Sequence, residues 1–138
     1  MGTALEYREL RDRRAVYRLL IYSRAPAEIA SAAVSMNRPL AAELIRLPPA
    51  RRTMRLERCF VKLLEALPDR PVIKDIDVLF HPEYRVDVMR LLVSAYQRRP
   101  YSLIWPGTYS EGRLVYAEEF CRDYRVYEIA EYDVICVV

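Results

Sequence analysis

Apolar positions along this chain recur with two periods, and the changes of period outline the fold. The clearest run is helical. Leu56, Cys59, Phe60, Leu63, Leu64 and Leu67 recur at i, i+3, i+4 and i+7, which puts them on one face of an α-helix. Leu40, Leu44 and Leu47 line a shorter helix, with Asn37 as its cap, Pro39 in its first turn and Pro48-Pro49 as its stop. Val86, Met89, Val93 and Tyr96 line another, beginning near Tyr84 and ending near Arg98-Arg99-Pro100. Short β-branched and aromatic runs lie between them and read as strands: residues 16–22, 33–36, 101–105, 114–116, 125–129 and 134–138. Residues 5–14 are charged helix formers, which predicts a helical arm over residues 1–15. Residues 23–33 leave room for a turn and two helical turns, and residues 50–54 read as a basic connector.

The stretch at residues 71–80, Pro-Val-Ile-Lys-Asp-Ile-Asp-Val-Leu-Phe, organises the rest. It begins as a buried strand and carries Asp75 and Asp77 at the strand's end, with a helical pattern following. Strand, terminal acid and helix is how an α/β sheet presents a functional group at its carboxyl edge. Helices alternate with strands through the first hundred residues, which implies crossover connections and a mainly parallel sheet in a three-layer α/β domain. The later strand-like pieces follow one another directly, predicting antiparallel strands at the C-terminal end. At 138 residues the chain reads as a single domain over 1–138.

Composition narrows the classes. The apolar fraction of 53% suffices for one core and excludes a disordered chain. No apolar run reaches the length of a membrane span, and the first residues lack the apolar stretch of a signal peptide, so a cytoplasmic location without membrane contact is expected. Cys59, Cys121 and Cys136 are scattered and read as free thiols. Of the 22 basic residues, all but Lys62 and Lys74 are arginine, and there are 11 tyrosines. Arginine and tyrosine suit contact surfaces, although a compositional bias of the genome gives the same arginine excess.

Candidate chemistry follows from these elements. A phosphate-cradling loop needs glycines. The turn after the first long strand reads Ser23-Arg24-Ala25-Pro26-Ala27-Glu28, with neither glycine nor lysine. Asp75 and Asp77 are candidates to hold magnesium, or else to cap the next segment or pair with arginine or Lys74. His81, the only histidine, sits between Phe80 and Pro82 as a turn residue. No Gly-x-Ser-x-Gly elbow supports Ser94, Ser102 or Cys121 as its nucleophilic partner, and one histidine with three scattered cysteines does not make a zinc site. Trp105, Gly107 and Tyr109 form an aromatic loop at a strand's end, either a contact site or a packed turn. Arg11, Arg13 and Arg14, Arg51, Arg52 and Arg55, and Arg98 and Arg99 form basic clusters. They are candidate nucleic-acid contacts. Interleaved acids such as Glu6, Glu9, Asp12 and Glu57 equally suit a solvated face.

The order of several pieces resembles BrxF, the small P-loop protein of the type 3 BREX phage-defence systems of bacteria. They are Tyr-Arg-Leu-Leu-Ile (17–21), Arg-Pro-Leu-Ala-Ala-Glu-Leu-Ile-Arg-Leu-Pro-Pro (38–49), Asp-Ile-Asp-Val-Leu-Phe-His-Pro (75–82), Met-Arg-Leu-Leu (89–92), Trp-Pro-Gly-Thr-Tyr (105–109) and Gly-Arg-Leu-Val-Tyr-Ala-Glu (112–118). The resemblance implies a P-loop-NTPase-like core. It also shows departures. The family's Walker A motif and much of the following helix look deleted between Tyr22 and Ala33. With Leu79-Phe80 in register, Lys74 falls at the family's Walker B aspartate and Asp75 lies one place away, on the other face of a strand. The resemblance therefore implies a non-catalytic subunit without cofactor or metal. Such a subunit would dock a large ATPase, a methyltransferase or a phosphatase-like protein. A nucleic-acid-binding module, a residual Mg-nucleotide-binding protein and a homo-oligomer stay open as alternatives.

Overall fold

The computed structural model describes residues 2–11 and 18–138. Strand β1 (Thr3–Leu5) leads into α1 (Tyr7–Arg11). Then come β2 (Leu19–Tyr22), α2 (Ala27–Ala32), β3 (Val34–Ser35), α3 (Asn37–Ile45), α4 (Pro49–Glu65) and β4 (Val72–Lys74). Two 3-10 turns, Asp77–Phe80 and Pro82–Tyr84, precede α5 (Val88–Arg98) and β5 (Ser102–Ile104). The chain ends with β6 (Thr108–Ser110), β7 (Arg113–Tyr116), β8 (Arg125–Glu128), a 3-10 turn (Ile129–Glu131) and β9 (Val134–Val137).

Two sheets form. Six strands in the order β1-β9-β2-β5-β4-β3 make a wholly parallel sheet, and β6, β7 and β8 make a separate antiparallel meander between β5 and β9. The α/β class and the mainly parallel sheet are as the alternation of periods predicts. The antiparallel strands expected at the C-terminal end are only partly so. The last strand does not join them but lies inside the parallel sheet between β1 and β2. Its four residues are all buried, without the in–out alternation of an edge. A strand covered on both faces reads as such a continuous apolar run.

The amino terminus also differs from the expected helical arm. Residues 3–5 form an edge strand, with Ala4 opposite Cys136. Gly2 permits this: a Cβ there would stand 1.8 Å from the Ile129 carbonyl oxygen. The predicted arm and strand both run into residues 12–17, which lie outside the described residues. Residues 50–54 are not a connector. Pro48-Pro49 ends α3 and begins α4, because a proline at the first helical position loses no hydrogen bond it would otherwise make. The third long helix starts at Val88 rather than near Tyr84, capped by Asp87, whose side chain accepts from the Arg90 N–H at 3.1 Å.

The apolar stripes meet in one core. Leu40 and Leu44 of α3, Leu56, Phe60 and Leu64 of α4, and Met89, Leu92 and Ala95 of α5 are buried with Ile21, Ile73 and Leu103 of the sheet. Helix α4 packs on both α3 and α5. None of the described helices is long and apolar enough to cross a membrane.

Candidate functional site

Strands β2, β4 and β5 are parallel neighbours, so their carboxyl ends open onto one edge of the sheet. Any acid–phosphate chemistry of this fold would stand there. The first turn at that edge folds back on the sheet: the backbone N–H and hydroxyl of Ser23 both donate to the Val137 carbonyl, at 2.9 and 3.2 Å. The crossover α2 that follows is six residues long and buries no side chain.

At the end of β4 the two aspartates part company. Asp75 takes a left-handed conformation (φ 54°) that turns the chain out of the strand, a conformation aspartate tolerates better than most residues. Lys74 contributes its carbonyl to the Met36 N–H at 3.0 Å. Neither side chain makes an ion pair among the described residues, so the expected pairing with Lys74 or arginine does not form. Asp77 opens the first 3-10 turn, and both its oxygens are taken. Oδ2 accepts from Asn37 Nδ2 at 2.9 Å and Oδ1 from the Tyr116 hydroxyl at 2.8 Å. Asn37 also accepts from the Val78 N–H at 3.0 Å. Asn37 is thus not the cap of its own helix. It lies within the first turn of α3 and ties that turn to residues forty positions away.

Tyr116 seals this arrangement. Its ring stacks on Phe80 at 3.8 Å and 7°. Its hydroxyl is pushed well up, first by burial and then by the hydrogen bond to Asp77 and the charges of Asp77 and Asp123. The aromatic file continues edge-to-face from Phe80 to Trp105 at 5.7 Å, from Trp105 to Tyr127 at 6.1 Å, and from Tyr127 to Tyr132 at 6.1 Å. The Tyr132 hydroxyl then donates to the Asp87 cap at 3.1 Å. This file bolts the meander to the parallel sheet.

Trp105, Gly107 and Tyr109 belong to the same clasp, with Trp105 packed in the core and Gly107 and Tyr109 half-buried. Trp105 is 4% exposed and donates from Nε1 to the Val115 carbonyl at 3.0 Å. A Cβ on Gly107 would come 1.9 Å from that same carbonyl oxygen, so only glycine lets the two backbones approach. The Tyr109 hydroxyl accepts from the Gly112 N–H at 3.1 Å and closes the β6–β7 turn.

His81 is a turn residue, its Nδ1 accepting from the Glu83 N–H at 3.3 Å. Ser94 donates to Glu57 at 3.0 Å, and Ser102 lies within β5. No group of three or more His, Cys, Asp or Glu that could hold a metal is found among the described residues. Magnesium with a nucleotide fits this edge poorly: no glycine-bearing turn cradles phosphate, and of the two acids there Asp77 is already hydrogen-bonded through both oxygens.

The arginines sort into two groups. Arg52 donates from Nε to the Leu44 and Leu47 carbonyls at 3.0 and 3.2 Å, closing the end of α3. Arg99 reaches the Leu67 carbonyl at 3.2 Å, and Arg98 stands 3.7 Å from Glu57. Arg52 and Arg99 thus hold backbone carbonyls, and Arg98 makes an exposed ion pair. Arg51 and Arg55 are on α4, and their side chains have no hydrogen bond or ion pair among the described residues. Arg58, absent from the expected clusters, falls on the same face. Its spacing from Arg51 and Arg55, at i+7 and i+3, is the signal that would have found it. Arg13 and Arg14 lie outside the described residues. No family model, no curated protein and no solved structure matches this chain.

Proposed function

We propose that the chain is a non-catalytic contact subunit with a P-loop-NTPase-like core, serving a bacterial anti-phage system of the BREX kind. It would dock a larger component such as the system's ATPase, methyltransferase or phosphatase-like protein. The observation that carries the non-catalytic reading is the fate of Asp77. The acid at the mouth of the sheet is hydrogen-bonded by Asn37 and Tyr116, and so serves to join α3 to the meander. The strand order supports the core: β2 stands where the winding changes side, with β5 on one flank and β9 on the other, which is where such sheets bind ligands. A fold without ligand chemistry of its own can still act through its outer surfaces, because function lives in sites and not in the fold.

The test is a tagged pull-down from the native host, with and without nuclease, read by mass spectrometry. The expected result is stoichiometric recovery of a large ATPase or methyltransferase in both samples. Recovery of nucleic acid alone, lost on nuclease treatment, overturns the subunit reading. Tight binding of magnesium-ATP by the isolated chain would overturn the non-catalytic one.

A further inference from the structure

On α4, Arg51, Arg55, Arg58 and Lys62 follow one another at i, i+4, i+7 and i+11, which places them in one row along the helix. Leu56, Phe60 and Leu64, which the helix buries, lie on the opposite side. At 1.5 Å per residue the row is about 16 Å long. Arg51, Arg58 and Lys62 are exposed and Arg55 is half-buried. Arg46, just past α3, joins Arg55 and Arg58 at a cleft of about 310 Å³ between the two helices.

Two features separate this row from an ordinary solvated face. First, like charges stand at i, i+4 twice, Arg51 with Arg55 and Arg58 with Lys62, and such pairs weaken a helix by about 0.2–0.5 kcal/mol each. Apart from the Lys62 pair with Glu43, the helix gains nothing from the arrangement. Second, the side chains of Arg51, Arg55 and Arg58 make no hydrogen bond or ion pair among the described residues, whereas those of Arg52, Arg98 and Arg99 nearby all do. The acids near the row are Glu43, which engages Lys62 at 3.2 Å and Arg46 at 4.0 Å, and Glu65 at the helix end. The basic groups outnumber them.

We propose that this face of α4 binds the phosphate backbone of double-stranded nucleic acid without reading its sequence. The row meets a regular line of negative charge, and arginine pairs with phosphate through two parallel N–H donors. Single strands are gripped by stacking bases on aromatic rings. This face carries none; its one large apolar side chain is the exposed Met54. That favours a duplex, held by charge alone. The inference does not depend on the subunit reading.

The test is fluorescence anisotropy with a 20-base-pair duplex of random sequence and a single strand of equal length, across 50–200 mM salt. Four phosphate contacts predict that log K for the duplex falls against log salt with a slope of about −3 to −4. The double variant R55Q/R58Q makes that slope shallower by about 2 with an unchanged melting curve. Arg113→Gln, which removes one partner of the meander pair with Glu128, leaves it alone. No duplex binding at 50 mM salt overturns the proposal, as does a slope that R55Q/R58Q does not change. Tighter binding of the single strand overturns the duplex assignment. Displacement of the duplex by polyglutamate at equal charge concentration shows an acidic protein to be the better occupant and overturns it as well.

Discussion

The carboxyl edge of the parallel sheet and the outer face of α4 are both polar surfaces, but their polar groups are used in opposite ways. At the sheet edge, Asp77, Asn37 and Tyr116 bind one another, and Trp105 binds a backbone carbonyl. On α4, the Arg51, Arg55 and Arg58 guanidinium groups make no hydrogen bond or ion pair among the described residues. Asp77, which by position looks like a site acid, is held by hydrogen bonds from two other elements of the fold. Arginines that look like ordinary surface charge prove to be the groups left without partners. Folding explains the first set; the second is the set for which we propose a ligand.

The comparison is broken most severely through the clasp. Trp105→Ala removes a buried indole, its hydrogen bond to Val115 and two edge-to-face contacts. The expected loss is about 3–5 kcal/mol, read as a lower urea midpoint. A loss below about 1 kcal/mol would mean that the indole is not what joins the two sheets and would restore it as a candidate contact residue. Asp77→Ala comes next. It removes the partner of the Tyr116 hydroxyl and of the Asn37 amide at a site open to water, at an expected 0.5–1.5 kcal/mol, about the net worth of a hydrogen bond. In a double-mutant cycle with Tyr116→Phe, a coupling of at least about 0.5 kcal/mol is expected. An Asp77→Ala variant as stable as the parent would free Asp77 for a functional role and remove the contrast with α4.

These partnerships explain why the sequence shows some of the molecule and hides the rest. Helix α4 is plain because its evidence is local: six apolar positions at helical spacing between Pro49 and the Leu67 turn. The strand β4 is plain for the same reason, with Val72 and Ile73 bounded by proline and an acid. The position of β9 is not, because Val-Ile-Cys-Val states burial on both faces but not which neighbours cover it. The role of Asp77 depends on Tyr116, thirty-nine residues later, and nothing in either segment marks the other. Trp105-Pro106-Gly107 shows a turn with an aromatic residue but not the Val115 carbonyl that both Trp105 and Gly107 approach. Only the sorting of arginines was within reach of the sequence alone, through the spacing of Arg51, Arg55, Arg58 and Lys62, though not the fact that Arg52 is taken.

Alkaline pH sharpens the contrast from the sheet side. Burial in β9 pushes the Cys136 thiol up to about 12 from its usual value of 9.0. The folded state therefore holds a proton that the unfolded chain releases above pH 9, and the stability this represents is present below pH 9 and lost as pH rises toward 12. At pH 10 the expected loss is about 1 kcal/mol. Tyr127 and Tyr132, each raised to about 12 mainly by burial, add to the decline above pH 10. Urea midpoints at pH 8 and pH 10 measure it, and Cys136→Ala narrows the difference between those two values, leaving the part that the buried tyrosines carry. An unchanged difference in that variant would place the alkaline sensitivity outside β9.

The smallest expected effect belongs to α4, and its smallness is the point. Arg55→Gln and Arg58→Gln remove charge from a face on which neither guanidinium has a partner among the described residues. Each change relieves like-charge repulsion and keeps a long, helix-compatible side chain. Stability should stay within about 0.5 kcal/mol of the parent, on the stabilising side if it moves at all. Arg52→Gln, one turn away on the same helix, takes a donor from the Leu44 and Leu47 carbonyls and should cost about 1 kcal/mol. If Arg55→Gln instead costs as much as Arg52→Gln, its guanidinium has a structural partner in solution. The row on α4 would then be another part of the scaffold, like the sheet edge, rather than a surface kept for something else.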